Sequence, residues 1–133
     1  MGDRQHDTAS LVERIHGSNA AAGVVGLGYV GLPLAVEFAN SGLLTVGIDV
    51  DAHKVAEINA GRSYILDVPS ERVAELVSSD RLRATTDFSA VAELDTINVC
   101  VPTPLRKTRD PDLSFVVDAL TRIAEHMHPG QLL

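Results

Sequence analysis

The chain has 133 residues, 45% of them hydrophobic and 22% charged, which suits one soluble globular domain. A net charge of −7 disfavours non-specific nucleic-acid binding, which basic patches drive, and no apolar run approaches the ~18–20 residues that a membrane span needs. The lone Cys100 excludes an internal disulfide, no Cys/His cluster has metal-ligand spacing, and the polar N-terminus lacks a signal peptide's apolar segment, so the chain reads as cytoplasmic.

Residues 1 to about 7 read as a disordered tail. Thr8 or Ser10 opens a short helix that ends near Gly17. Ala20–Gly26 is a short apolar run suited to a buried strand. A helix from about Tyr29 to Asn40 follows, with Gly31, Leu34, Ala35 and Phe38 on its inner face, Pro33 in its first turn and Gly42 as its stop. Leu43–Asp49 reads as a second buried strand, followed by helices over about 52–60 and 70–78 with a loop at 62–69 between them. Arg81–Thr85 is a weaker strand candidate, and a short helix is expected around Phe88–Glu93. Thr96–Val101 is a strand broken by Pro102 and Pro104. A last helix spans about Ser114 to His128, and Gln131–Leu133 looks like a strand that has only begun. This alternation predicts an α/β fold: a Rossmann-type, doubly wound parallel sheet, incomplete at its C-terminal side. The division expected is a tail and short helix at 1–18 and a partial nucleotide-binding domain at 19–133.

Gly26-Leu27-Gly28-Tyr29-Val30-Gly31 is a G-x-G-x-x-G between a predicted strand and a predicted helix. Gly26 permits a tight turn, Gly28 carries no side chain to keep a pyrophosphate from the backbone, and Gly31 lets helix and strand approach. The helix start offers N–H groups and the positive end of a dipole. Asp49 lies eighteen positions beyond Gly31. A carboxylate there accepts both ribose hydroxyls of an adenosine and repels a 2′-phosphate, which favours NAD over NADP. The bland alternatives are a plain turn for the glycines and a helix cap, shared with Asp51, for Asp49. Lys54 either reaches toward a phosphate or is a solvated helix residue. Val101-Pro102-Thr103-Pro104 leaves the carboxyl end of a strand, so Val101 and Thr103 either face a cofactor or belong to a loop that merely ends the strand. Tyr29 either covers the cofactor or packs beside it.

These segments together resemble the UDP-glucose/GDP-mannose dehydrogenase family. The matching pieces are Val25-Gly26-Leu27-Gly28-Tyr29-Val30-Gly31-Leu32-Pro33-Leu34-Ala35, Gly47-Ile48-Asp49-Val50-Asp51, Asn59-Ala60-Gly61 and Val99-Cys100-Val101-Pro102-Thr103-Pro104. Gly61-Arg62-Ser63-Tyr64-Ile65, Val68-Pro69-Ser70-Glu71 and the run from Pro104 to Ser114 look like the UDP-N-acetylglucosamine 6-dehydrogenase branch. The resemblance implies a four-electron oxidation of a UDP-sugar C6 alcohol to a carboxylate with two NAD, through covalent adducts on a cysteine of a later domain. It also implies pyrophosphate at Gly26, Gly28 and Gly31, the adenosine ribose at Asp49, Thr103 near the cofactor, with Tyr29, Val30 and Val101 also among the expected cofactor-binding residues, and a homo-oligomeric full-length protein. By the same resemblance this chain stops before the sugar-binding domain and the catalytic cysteine. Cys100 is not that residue; its place in an apolar strand marks it as a small buried side chain.

Arg106, Lys107 and Arg109 form a basic loop that either meets an anionic nucleotide sugar or a partner domain, or is solvated. Two other readings compete with the enzyme fragment. A stand-alone NAD-binding module explains the same glycines. A methyltransferase that binds an adenosine cofactor fits less well, because of the strict glycine spacing and the Pro102-Thr103-Pro104 turn.

Overall fold

The computed structural model describes residues 8–133. The tail expected over residues 1 to about 7 lies outside the described residues. The elements are α1 (Thr8–His16), β1 (Ala21–Val25), α2 (Gly31–Asn40), β2 (Leu44–Ile48), α3 (Ala52–Asn59), α4 (Ser70–Ser78), β3 (Leu82–Thr85), a 3-10 helix (Phe88–Glu93), β4 (Thr96–Val99) and α5 (Ser114–Ala124). The four strands form one parallel sheet in the order β3-β2-β1-β4. The chain therefore steps outward from β1 to β2 and β3, then crosses back to place β4 on the other side of β1. That reversal opens a crevice at the carboxyl ends of β1 and β4, where ligands of such sheets bind.

Residues alternate across β1, and each face gains its own core. Val24 joins Leu27, Leu32, Ala35, Ile58, Val73 and Leu76 beneath α2, α3 and α4. Val25 joins Ile48, Val91, Leu94, Ile97 and Ile123 beneath the 3-10 helix and α5. With helices on both faces, the predicted doubly wound α/β class is what the chain adopts. Asn59 fastens α3 to the outer strand, since its side chain accepts the Ala84 N–H at 2.9 Å and donates to the Ala84 carbonyl at 2.9 Å. At the amino ends of the strands, Asp95 accepts the Ala21 N–H at 2.8 Å and pairs with Arg14 of α1.

Three expectations shift. The inner face of α2 is Gly31, Leu32, Ala35, Val36 and Ala39, while Leu34 and Phe38 are only partly buried. Gly31, Ala35 and Ala39 recur every four residues and form a small-residue stripe that lets the helix axis approach the sheet, which turns the larger Leu34 and Phe38 to its flank. The strand expected to reach Val101 ends at Val99, although the Cys100 N–H still donates to the Val25 carbonyl at 2.7 Å. The last helix ends at Ala124 rather than His128: His126 bonds back to Ile123 in a tighter turn, and Pro129 disfavours helical backbone in the residue before it. Beyond it, the Ile97 N–H donates to the Leu132 carbonyl at 2.8 Å and the Leu132 N–H to the Asp95 carbonyl at 3.0 Å, so Leu132 lies parallel beside β4.

Candidate functional site

The glycine loop hangs from the end of β2 by two bonds. The Gly26 N–H donates to the Ile48 carbonyl at 2.8 Å, and the Leu27 N–H donates to Asp49 Oδ2 at 2.8 Å. Asp49 Oδ1 accepts the Asp51 N–H, also at 2.8 Å. Asp51, not Asp49, caps α3, accepting the N–H groups of His53 and Lys54. The carboxylate of Asp49 therefore faces the loop, and each of its oxygens keeps lone-pair capacity for another donor.

The three glycines divide by what a side chain would meet. Gly26 has a φ of 95°, and a Cβ there would sit 2.6 Å from the Cys100 carbonyl oxygen. A Cβ on Gly31 would lie 1.6 Å from the Gly26 carbonyl oxygen, a backbone collision. At Gly28 a Cβ would meet nothing within 4 Å. The first and third glycines thus make the turn possible, and the second bares the loop toward open space. The N-cap of α2 is Val30, which offers no side-chain hydrogen bond, and no bond among the described residues engages the N–H groups of Gly28, Tyr29 or Val30. These donors and the positive end of α2 make an anion cradle.

The loop forms one wall of a cavity of about 600 Å³. Of the cofactor-binding residues expected from the sequence, Gly26, Gly28, Tyr29, Val30, Asp49, Val101 and Thr103 line it, while Gly31 is set back beneath the loop. Tyr29 is 86% exposed and forms part of the rim rather than packing into the core. Cys100 is half-buried at the end of β4 rather than within the strand, and it too faces the cavity. Burial pushes its thiol pKa up. Arg106, Lys107 and Arg109 do not line the cavity; Arg106 pairs with Asp112 at 3.5 Å within the loop.

Several contributors carried no sequence signal of their own. Phe88 of the 3-10 helix and Phe115, Asp118 and Ala119 of α5 close the far wall, brought there by crossovers that no local motif announces. Lys54 is half-buried, lines the cavity, and its ammonium lies 5.9 Å from the centre of the Tyr64 ring. Tyr64, in the segment between α3 and α4, donates its hydroxyl to the Leu27 carbonyl. Burial, with the charges of Asp49 and Asp51, raises its pKa well above the ordinary phenol value.

A parallel sheet with its order reversed at β1, a bare glycine turn into a helix N-terminus and an acid at the end of the next strand define a Rossmann-type dinucleotide-binding fold. The comparisons agree and narrow it. The profile of the NAD binding domain of the UDP-glucose/GDP-mannose dehydrogenase family matches residues 20–133, and the chain belongs to that family. A UDP-N-acetyl-D-mannosamine dehydrogenase of Pyrococcus horikoshii is 37% identical over 111 residues, 83% of this chain and 26% of that protein. An NDP-N-acetyl-D-galactosaminuronic acid dehydrogenase of Ralstonia nicotianae is 38% identical over 111 residues, again 83% and 26%. A solved structure of a UDP-D-ManNAc dehydrogenase from Pyrococcus horikoshii superposes with a TM-score of 0.79 at 36% identity, covering 84% of this chain and 27% of the other. The chain thus spans about a quarter of the length of the curated relatives it matches.

Proposed function

We propose that this chain is the cofactor-binding part of a nucleotide-sugar 6-dehydrogenase that oxidises the C6 alcohol of a UDP-N-acetylhexosamine to the carboxylate with two NAD. The observation that carries the reading is the placement of Asp49: one carboxylate holds the glycine loop through Leu27 and lies on the cavity wall where the adenosine ribose is expected. NAD supplies hydride acceptance when bound. The chain's own residues do the holding. The N–H groups of Gly28, Tyr29 and Val30 take the pyrophosphate, Gly26 and Gly31 shape the turn, and Asp49 accepts the ribose hydroxyls. Val101 and Thr103 bound the cofactor on the β4 side, with Phe115 opposite. The Asp49 carboxylate repels a 2′-phosphate, which selects NAD over NADP.

The sugar class is supported by relatives whose names specify N-acetylhexosamine derivatives. The glucosamine branch suggested by Gly61–Ile65 and the loop after Pro104 is one member of that class. A homo-oligomeric full-length protein and a cytoplasmic location belong to the same proposal. No helix among the described residues is long and apolar enough to cross a membrane. The test is calorimetric titration of the chain with NAD and NADP, followed by a panel of UDP-sugars with the whole protein. NAD binding with discrimination against NADP, and turnover of a UDP-N-acetylhexosamine ahead of UDP-glucose, is the expected result. Equal binding of NAD and NADP would remove the ribose assignment, and preference for UDP-glucose would remove the sugar class.

A further inference from the structure

Leu27 is held at both of its backbone polar groups: Asp49 accepts the Leu27 N–H, in the peptide before it, at 2.8 Å, and the Tyr64 hydroxyl donates to the Leu27 carbonyl, in the peptide it shares with Gly28. In a trans peptide the carbonyl and the following N–H point in opposite directions, so fixing the Leu27 oxygen fixes the Gly28 N–H. That N–H belongs to the residue whose missing side chain opens onto the cavity. Glycine is also the residue least able to resist rotation of its own peptide, because its backbone tolerates both signs of φ. A rotated Leu27–Gly28 peptide would present a carbonyl oxygen, not an N–H, on the side now occupied by the Gly28 amide. The loop itself supplies no other restraint on this carbonyl among the described residues.

We infer that Tyr64 is a positioning residue for the cofactor's pyrophosphate, acting through Leu27: its hydroxyl holds the Leu27 carbonyl away from the cavity and so keeps the Gly28 N–H turned toward the phosphates. This rests on the reading of the loop as a pyrophosphate cradle. The tyrosine is well made for the task. Its ring is half-buried, the Lys54 ammonium lies 5.9 Å from the ring centre, and its raised pKa keeps the hydroxyl a donor across the physiological range.

The experiment compares the unaltered chain with Tyr64→Phe, titrating each with ADP and with adenosine. ADP carries the pyrophosphate and adenosine does not, so a general loss of structure weakens both, whereas a misdirected Gly28 amide weakens ADP alone. The expected result is a loss of roughly tenfold for ADP, of the order of one charge-assisted hydrogen bond, with adenosine changed less than about twofold. Equal losses for both ligands, or no loss for ADP, would overturn the inference and leave the cofactor assignment standing. If the unaltered chain distinguished ADP from adenosine not at all, the cradle reading and the inference would fall together. Should Tyr64→Phe not fold, a second readout needs no variant: inorganic pyrophosphate should shift the Gly28 amide resonance of the unaltered chain downfield. A Gly28 resonance that stays still while Tyr29 and Val30 respond would refute the orientation.

Discussion

The Asp49 carboxylate and the Leu27 amide meet at 2.8 Å, joining the acid proposed to select the ribose to the loop proposed to take the phosphates. On that proposal one side chain serves two ends of the same ligand. Asp49→Ala should weaken NAD about tenfold or more and narrow the preference over NADP, since the repulsion of a 2′-phosphate is gone. Leaving the Leu27 amide without its partner should also lower stability by about 1–3 kcal/mol. Parallel titrations of variant and parent with both cofactors check the first effect and thermal melts the second. A variant that binds more weakly but keeps the parental NAD:NADP ratio would show that Asp49 builds the loop and does not read the ribose.

Gly28→Ala and Gly31→Ala should fail in opposite ways. A Cβ at Gly31 would lie 1.6 Å from the Gly26 carbonyl oxygen, and backbone on both sides of the collision leaves nothing to yield. That variant should lose more than about 3 kcal/mol of stability or not fold at all. At Gly28 the methyl enters open space, so the fold should persist, with stability within about 1 kcal/mol of the parent. NAD affinity should nevertheless fall about tenfold or more, because the methyl stands where the pyrophosphate approaches the backbone. Melting curves and NAD titrations on both variants separate the roles. Parental NAD affinity in a folded Gly28→Ala chain would move the phosphates elsewhere.

How far the sequence alone reached depends on whether a feature is local. Gly26, Gly28 and Asp49 were legible because a strand, a tight turn and a helix start lie within a few residues of one another, and their steric demands admit few residue types. Tyr64 stands out in the sequence only as part of a resembling segment; nothing in its neighbourhood says that its hydroxyl reaches Leu27, a contact made across 37 positions. Phe88 and Phe115 reach the cavity through crossovers, and their periodicity marks them only as buried or amphipathic. The inner face of α2 was misplaced because hydrophobicity points to Leu34 and Phe38, while packing on a sheet favours the small stripe of Gly31, Ala35 and Ala39.

Acid should loosen the loop that follows β4. The Asp112 carboxyl lies below the usual carboxylate range, first through its hydrogen bonding with Ser114 at the start of α5 and then through the Arg106 charge. A group with a depressed folded pKa stabilises when ionised. Its contribution is present above the ordinary carboxylate value and is lost as pH falls through the folded one. Asp112→Asn should therefore lower the melting temperature near neutral pH, with the gap to the parent closing as pH falls from about 6 to about 3. Melts at several pH values provide the check. A gap independent of pH would assign the effect to packing rather than to charge.

The thiol of Cys100 faces the cavity, yet it is poorly suited to attack a substrate. Burial raises its pKa, which reduces the thiolate that does nucleophilic chemistry. No histidine or lysine among the described residues hydrogen-bonds it to take its proton, and its place is on the cofactor side of the proposed site. We propose that the covalent steps implied by the family resemblance use a cysteine other than this one. Two results follow. Incubating this chain with NAD and a UDP-N-acetylhexosamine should give no NADH above the rate without protein, followed by absorbance. Cys100→Ala should bind NAD within about twofold of the parent, since removing one sulfur from a wall is a small loss, and iodoacetamide should label the parent more slowly when NAD is present. Enzyme-level NADH formation by the chain, abolished by Cys100→Ala, would reverse the assignment and make this cysteine the nucleophile.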